Sequence, residues 1–172
     1  MEVAPALIVL AVLWNTEDRH RLTALAFWLI AGHGIILMVG GAYSYARVPW
    51  GFAMQEALGL ARNPYDRLGH FAQGFVPAIV IREMLVRVGP LRSGTLLTIL
   101  VLVCALAVSA AYELIEFAAA MLLGQGADEF LGTQGDPWDT QWDMATCLVG
   151  AVVALLLLGR VQDRQLARLP PR

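Results

Sequence analysis

The chain has no lysine, only two cysteines among 172 residues, and few charges of either sign. Charged residues make up 15% of it, where a soluble domain carries about 25%. The shortfall is concentrated in long apolar runs, so the solvent for most of the surface is lipid. Fourteen acids against twelve bases leave a net charge of −2, which removes any argument for a nucleic-acid partner. The basic residues are all arginine, a genomic bias rather than a functional signal. Cys104 and Cys147 both fall inside apolar segments, where single thiols serve as small packing residues. Neither a disulfide nor a thiolate site is expected. There is no internal repeat, linker or low-complexity segment, and the length suits one integral membrane helical domain over residues 1–172.

What is present is apolar: 58% of residues are hydrophobic and the mean hydropathy is +0.62. Five segments stand out. Val3 to Trp14 is short for a span, which needs about 20 residues, and no small-residue cleavage site follows it. It reads as a short first helix rather than a cleaved signal. Leu22 to Ala42 is a clear second span, and Pro64 to Val88 a third with polar ends. Thr95 to Leu123 is a long fourth helix, and Asp143 to Leu158 the fifth. The stretch from Tyr43 to Arg62 is of mixed polarity and suits an interfacial helix. The fold class expected is all-α: a polytopic membrane bundle of about five transmembrane helices.

Arginines set the orientation. Arg19 and Arg21, then Arg87 and Arg92, then Arg160, Arg164, Arg168 and Arg172 fall in three segments that five spans bring to one side. The positive-inside rule makes that side cytoplasmic. The N-terminus is then outside, the C-terminus cytoplasmic, and the arginine-free loop from Gly124 to Trp142 outside. The segment from Tyr43 to Asn63 is outside as well, with Arg47 and Arg62 as the exceptions to the bias.

Three polar clusters are costly in such a chain. In the first, Asn63-Pro64-Tyr65-Asp66-Arg67-Leu68-Gly69-His70, Asp66 and His70 are four apart and share a helix face. Asn63 as N-cap, Pro64 at the first helical position and Asp66 in the first turn make a well-formed start, which accounts for Asp66 but not His70. In the second, Tyr112-Glu113-Leu114-Ile115-Glu116, two glutamates share a face inside a span. Two carboxylates so close in a low dielectric need a cation, a shared proton or an arginine, with Arg62 and Arg67 as the candidate partners. The third, Gly132 to Asp143, spaces Asp136, Asp139 and Asp143 three and four apart among threonines, glutamines and two tryptophans, with no base. It reads either as a solvated acidic loop or as an oxygen-ligand site.

Depth joins the three. Glu113 lies 18 residues beyond Thr95, about 27 Å along a helix, near the outer boundary. Asp66 and His70 open the third helix at that level, and Asp143 the fifth. Six carboxylates (Asp66, Glu113, Glu116, Asp136, Asp139 and Asp143) and the His70 imidazole then face few cations. That donor set suits a divalent metal: Mg²⁺, Mn²⁺ or Ca²⁺, with Zn²⁺ or a di-iron pair as alternatives. In a hydrolytic role Glu113 or Glu116 would take a proton from bound water, and Arg67 would hold a phosphate. His33, mid-span in Ala31-Gly32-His33-Gly34, lies at a different depth from His70, so a hydrogen-bonded packing histidine is expected and neither haem nor nucleotide. Glu83 and Arg87 are spaced as an ion pair, and Arg82 as a snorkelling side chain.

Three stretches carry a resemblance: Asn63 to Phe75, Tyr112 to Glu116, and Phe130 to Met144 with its Gly-Thr-Gln-Gly-Asp-Pro-Trp-Asp-Thr-Gln-Trp-Asp string. They resemble a bacterial inner-membrane family, the YjdF family, which implies an inner (cytoplasmic) membrane location and no particular activity. More distantly, Asp-x-x-x-His followed by a Glu pair and an Asp looks like the VanZ-like membrane proteins, which usually have glutamine where Glu116 stands. Two function classes follow. One is a metal-dependent hydrolase or transferase acting on a membrane lipid or lipid-linked phosphate. The other is a non-catalytic cation-binding or accessory subunit of a larger membrane complex. A carrier fits less well, because carriers show repeats or helices broken at midplane.

Overall fold

A computed structural model describes residues 22–89, 91–123 and 133–169. Five helices lie among them: α1 (Ala24–Tyr43), α2 (Pro49–Leu58), α3 (Tyr65–Arg87), α4 (Thr95–Leu123) and α5 (Asp139–Leu166). The expected first span from Val3 to Trp14, the turn at Arg19 and Arg21, and residues 124–132 of the outer loop lie outside the described residues.

The protein is an all-helical membrane bundle, and its surface is inverted relative to a soluble one. Large apolar side chains point outward, among them Trp28, Met121, Leu122 and Leu156. Asp66, His70, Arg82, Glu83, Glu113, Asp139 and Asp143 are buried. That pattern fits a lipid solvent, which rewards apolar contact and leaves polar groups to find partners inside the protein. Helices α1, α4 and α5 are long and apolar enough to cross a membrane. At 20, 29 and 28 residues they extend about 30, 44 and 42 Å, against an apolar thickness of about 30 Å. Both α4 and α5 thus exceed the apolar thickness, and in α5 the excess falls on polar end turns. Helix α3, with 23 residues, is as long as a span but bears charges at both ends and sits at the centre, packed on α1, α4 and α5.

The closest approach is between α3 and α5, and glycine makes it. A Cβ on Gly74 would overlap the backbone of Cys147, and one on Gly150 would overlap the carbonyl of Phe71. Small residues that let backbones touch are the usual device for helix association in lipid, where there is no hydrophobic drive between helices. Ala78, Ala105, Ala151 and Ala154 extend the same close packing through the core.

Polar groups gather at the two ends of α3. At the C-terminal end the Glu83 carboxylate accepts from the Thr23 backbone N–H (2.9 Å), the Thr23 hydroxyl (2.6 Å) and Arg87 (3.1 Å). It thereby satisfies donors at the start of α1, and the expected Glu83–Arg87 pair is present. Arg82 does not snorkel. It is 6% exposed and donates to Gln162 (3.1 Å) and Asp163 (2.6 Å) of α5. Helix α5 is accordingly longer than the apolar run from Asp143 to Leu158, because its polar last turns have partners inside the bundle. The other end of α3 holds the candidate site.

Candidate metal and lipid-facing site

The site is built on a hub at Asn63. Its side-chain oxygen accepts from the Tyr65 N–H (3.0 Å), so Asn63 supports the helix start, although the cap position itself is Pro64 and α3 begins at Tyr65, one residue later than expected. Its amide donates to the Val48 carbonyl (3.0 Å). Its backbone is read by Gln134, whose side chain accepts from the Asn63 N–H (3.0 Å) and donates to its carbonyl (3.1 Å). Gln134 holds a left-handed conformation (φ 49°) to do so, with Gly135 beside it (φ 84°). Tyr65 donates to the Ile36 carbonyl of α1 (2.7 Å) and stacks edge-on against Trp50 of α2. These contacts tie the first turn of α3, α2 and the loop before α5 together.

Two guanidinium groups then lock α3 to α5. Arg67 donates to Asp143 (2.6 Å), Asp139 (2.9 Å) and Asp136 (3.2 Å). Arg62 pairs with Asp66 (3.2 Å) and with Asp139, and stands 3.8 Å from Asp136. The third acidic cluster is thus folded onto the first rather than solvated as a free loop. The sequence presents Arg62 and Arg67 as candidate partners of the glutamates; the structure directs them to the aspartates.

His70 stands at the centre, 5% exposed. Its Nε2 faces Asp66 Oδ1 at 3.7 Å and Asp143 Oδ2 at 3.8 Å. Its Nδ1 faces Glu113 Oε1 of α4 at 3.8 Å. These spacings exceed hydrogen-bond length, and both His70 Nδ1 and Glu113 Oε1 are buried without a hydrogen-bond partner among the described residues. Asp66, His70 and Asp143 present ligand atoms that lie within 4.8 Å of one another. Tetrahedral ligands on bonds of about 2.0–2.2 Å lie about 3.3–3.6 Å apart. Calcium ligands at right angles, on bonds of about 2.3–2.6 Å, lie about 3.3–3.7 Å apart. The two His70 spacings, 3.7 and 3.8 Å, stand at or beyond the wide end of both ranges, and the third pair lies within 4.8 Å, so the donors must move inward to hold an ion.

The eight candidates from the sequence therefore fall into four roles. Asp66, His70 and Asp143 form the cluster that could hold a metal. Glu113 faces the far nitrogen of His70, the position from which a carboxylate orients a metal-bound imidazole. Asp136 and Asp139 are engaged with Arg62 and Arg67. Glu116 sits on the wall of an adjoining cavity of about 420 Å³ between α1, α3 and α4, which His33, Asp66 and His70 also border. The expected hydrogen bond to His33 is not made at Nε2, which is buried without a partner. On the other side, a more open pocket of about 770 Å³ is bordered by Arg47, Gln134, Asp136 and Asp139. Asn63 and Gln134 are the contributors hardest to find from sequence, since an asparagine before proline and a glutamine before glycine look like ordinary turn residues.

Charge sharpens the picture. Six carboxylates share this end with two guanidinium groups. Two ionised carboxylates at 4–5 Å repel by roughly 3–4 kcal/mol at an effective dielectric of about 20, so the excess needs protons or a cation.

Comparison with known proteins agrees with this architecture. Residues 1–164 match the family model described as "Predicted membrane protein (DUF2238)". The chain belongs to that family. It is also similar to the inner membrane protein YjdF of Escherichia coli (strain K12), with 57% identity over 168 residues, covering 98% of this chain and 80% of that protein. No solved structure matches.

Proposed function

We propose that this DUF2238 protein binds a divalent cation at Asp66, His70 and Asp143, and uses it in hydrolysis or transfer at a lipid-linked phosphate. The location we infer is the bacterial inner membrane, on the similarity to YjdF, with the site at the outer face and the C-terminus cytoplasmic, on the arginine distribution. The observation that carries the reading is His70: buried, with two carboxylates at one nitrogen, a third at the other, and no hydrogen bond at Nδ1. An ion at Nε2 would satisfy Asp66 and Asp143 together, and Glu113 would accept from Nδ1. Such an ion would activate bound water and polarise a phosphoryl oxygen, with Glu116, on the cavity wall, to serve as the proton acceptor.

One observation favours the non-catalytic alternative, a cation-binding accessory subunit of a larger membrane complex. Arg67, the natural phosphate ligand, is already engaged by three aspartates. A phosphate would have to displace one of them or be held by the cation alone.

Thermal melting of the purified protein in EDTA, then with Mg²⁺, Mn²⁺, Ca²⁺ or Zn²⁺, tests the reading. A ligand at 100 times its Kd stabilises the folded state by about 2.7 kcal/mol. At least one ion should raise the melting temperature of the native protein, and Asp143→Asn should abolish the rise. No metal-dependent shift in the native protein would refute both the cation site and the hydrolase built on it.

A further inference from the structure

The cavity beside the site is elongated and unequal in character. On α3 it is bordered by Asp66, His70, Gln73, Pro77 and Ile81, with Val76 and Val80 beside them, a stripe of three- and four-residue steps that runs about 22 Å along the helix. Its upper end is polar, with Asp66, His70 and Glu116. Below Gln73 the border is mainly apolar, from Val76 and Val80 on α3, Ile30 and Ala31 on α1, and Val108 on α4.

The cleft exists because α1 packs on α3 and touches α5 without extended contact with α4. Its mouth lies between α1 and α4, two helices whose outward faces carry exposed Trp28, Ile35, Leu114 and Ile115. That mouth is therefore at the depth of the hydrocarbon, where the surrounding molecules are lipids. Its volume, about 420 Å³, lies within the usual range of ligand pockets, about 300–1,000 Å³. The backbone leaves room: a Cβ on Gly34, which borders the cleft from α1, meets nothing within 4 Å among the described residues.

We propose that this cleft takes one acyl chain of a phosphatidic-acid-type phospholipid, which enters sideways between α1 and α4 and lies along α3. The phosphate then reaches the Asp66–His70–Asp143 cluster. This names the substrate class and its route, and it rests on the cation reading only for the phosphate end. The apolar end stands on the cleft itself.

The experiment uses the full chain in lipid nanodiscs doped with phosphatidic acid carrying a diazirine on its acyl chain, with adducts located by mass spectrometry. Val76, Val80 and Val108 should be labelled several-fold more than Leu156 and Leu157, which are exposed on α5. Gly34→Phe should reduce labelling at Val108 several-fold without reducing it at Leu156, and Val80→Phe should do the same if Gly34→Phe fails to express. Uniform labelling, or cleft labelling insensitive to both variants, overturns the proposal. So does efficient disulfide cross-linking of Leu7→Cys to Leu37→Cys in a chain with Cys104 and Cys147 replaced by alanine, because the occupant would then be this chain's own first segment. Preferential labelling that persists in EDTA, with no metal-dependent melting shift, upholds the cleft and rejects the cation. A metal shift with uniform labelling does the reverse.

Discussion

Replacing Arg67 with alanine should be among the most damaging single changes at the His70 end of the bundle. Its guanidinium reaches Asp143 at 2.6 Å, Asp139 at 2.9 Å and Asp136 at 3.2 Å. The side chains of Asp143 and Asp139 are only 4% and 6% exposed, so neither can recover its hydration once the guanidinium has gone. Breaking a buried pair from one side costs about 3–5 kcal/mol. Arg67 itself is 21% exposed and water can enter the space it leaves, so the lower value, about 3 kcal/mol, applies. At about 2–4 °C per kcal/mol for a chain of this size, the melting temperature should fall by about 6–12 °C. The assay is tryptophan-fluorescence melting in detergent with EDTA, so that no cation substitutes for the lost charge. Asp143→Asn in the same background should recover part of the loss, since it removes a carboxylate left unpaired, with a coupling of about 1–3 kcal/mol. A melting point within 2 °C of the native one, or strict additivity of the two substitutions, would mean that these ion pairs do not hold α3 to α5.

Gly74→Ala should destabilise by at least the about 1–3 kcal/mol of an overpacked core, because the added methyl meets the Cys147 backbone. Gly34→Ala, with open space at the same atom, should be neutral or stabilising by up to about 1 kcal/mol; equal effects in the two melting curves would contradict the packing. For topology, a fluorescent-protein fusion after Arg172 should glow in cells while an alkaline-phosphatase fusion there stays inactive, and the opposite pattern would place the site on the cytoplasmic side.

Much of this was legible in the chain. The apolar run from Thr95 to Leu123 coincides with α4. Helix α5 shows the limit. Its apolar run ends at Leu158, yet the helix continues to Leu166, since Gln162 and Asp163 bond to Arg82, a partner about 80 positions away. Periodicity places Asp66 beside His70 and Glu113 beside Glu116, and these proximities follow from one helix at a time. The rotation of α4 against α3 does not, and it sends Glu113 to the Nδ1 side of His70 and Glu116 to the cleft wall. The assignment of Arg62 and Arg67 to aspartates rather than glutamates has the same origin. It depends on the Asn63–Gln134 contact that folds the acidic loop back over α3, a tertiary choice that no local pattern encodes.

The central claim is the cation at His70, and calorimetric titration of the metal-stripped protein tests it most directly. One divalent ion per chain should bind to the native protein, with affinity reduced at least tenfold by His70→Ala and by Asp143→Asn. Glu113→Gln should bind more weakly than the native protein while keeping the one-to-one stoichiometry, because it supports the imidazole rather than contacting the ion. Absence of binding in the native protein, or binding that survives His70→Ala and Asp143→Asn unchanged, would contradict the account.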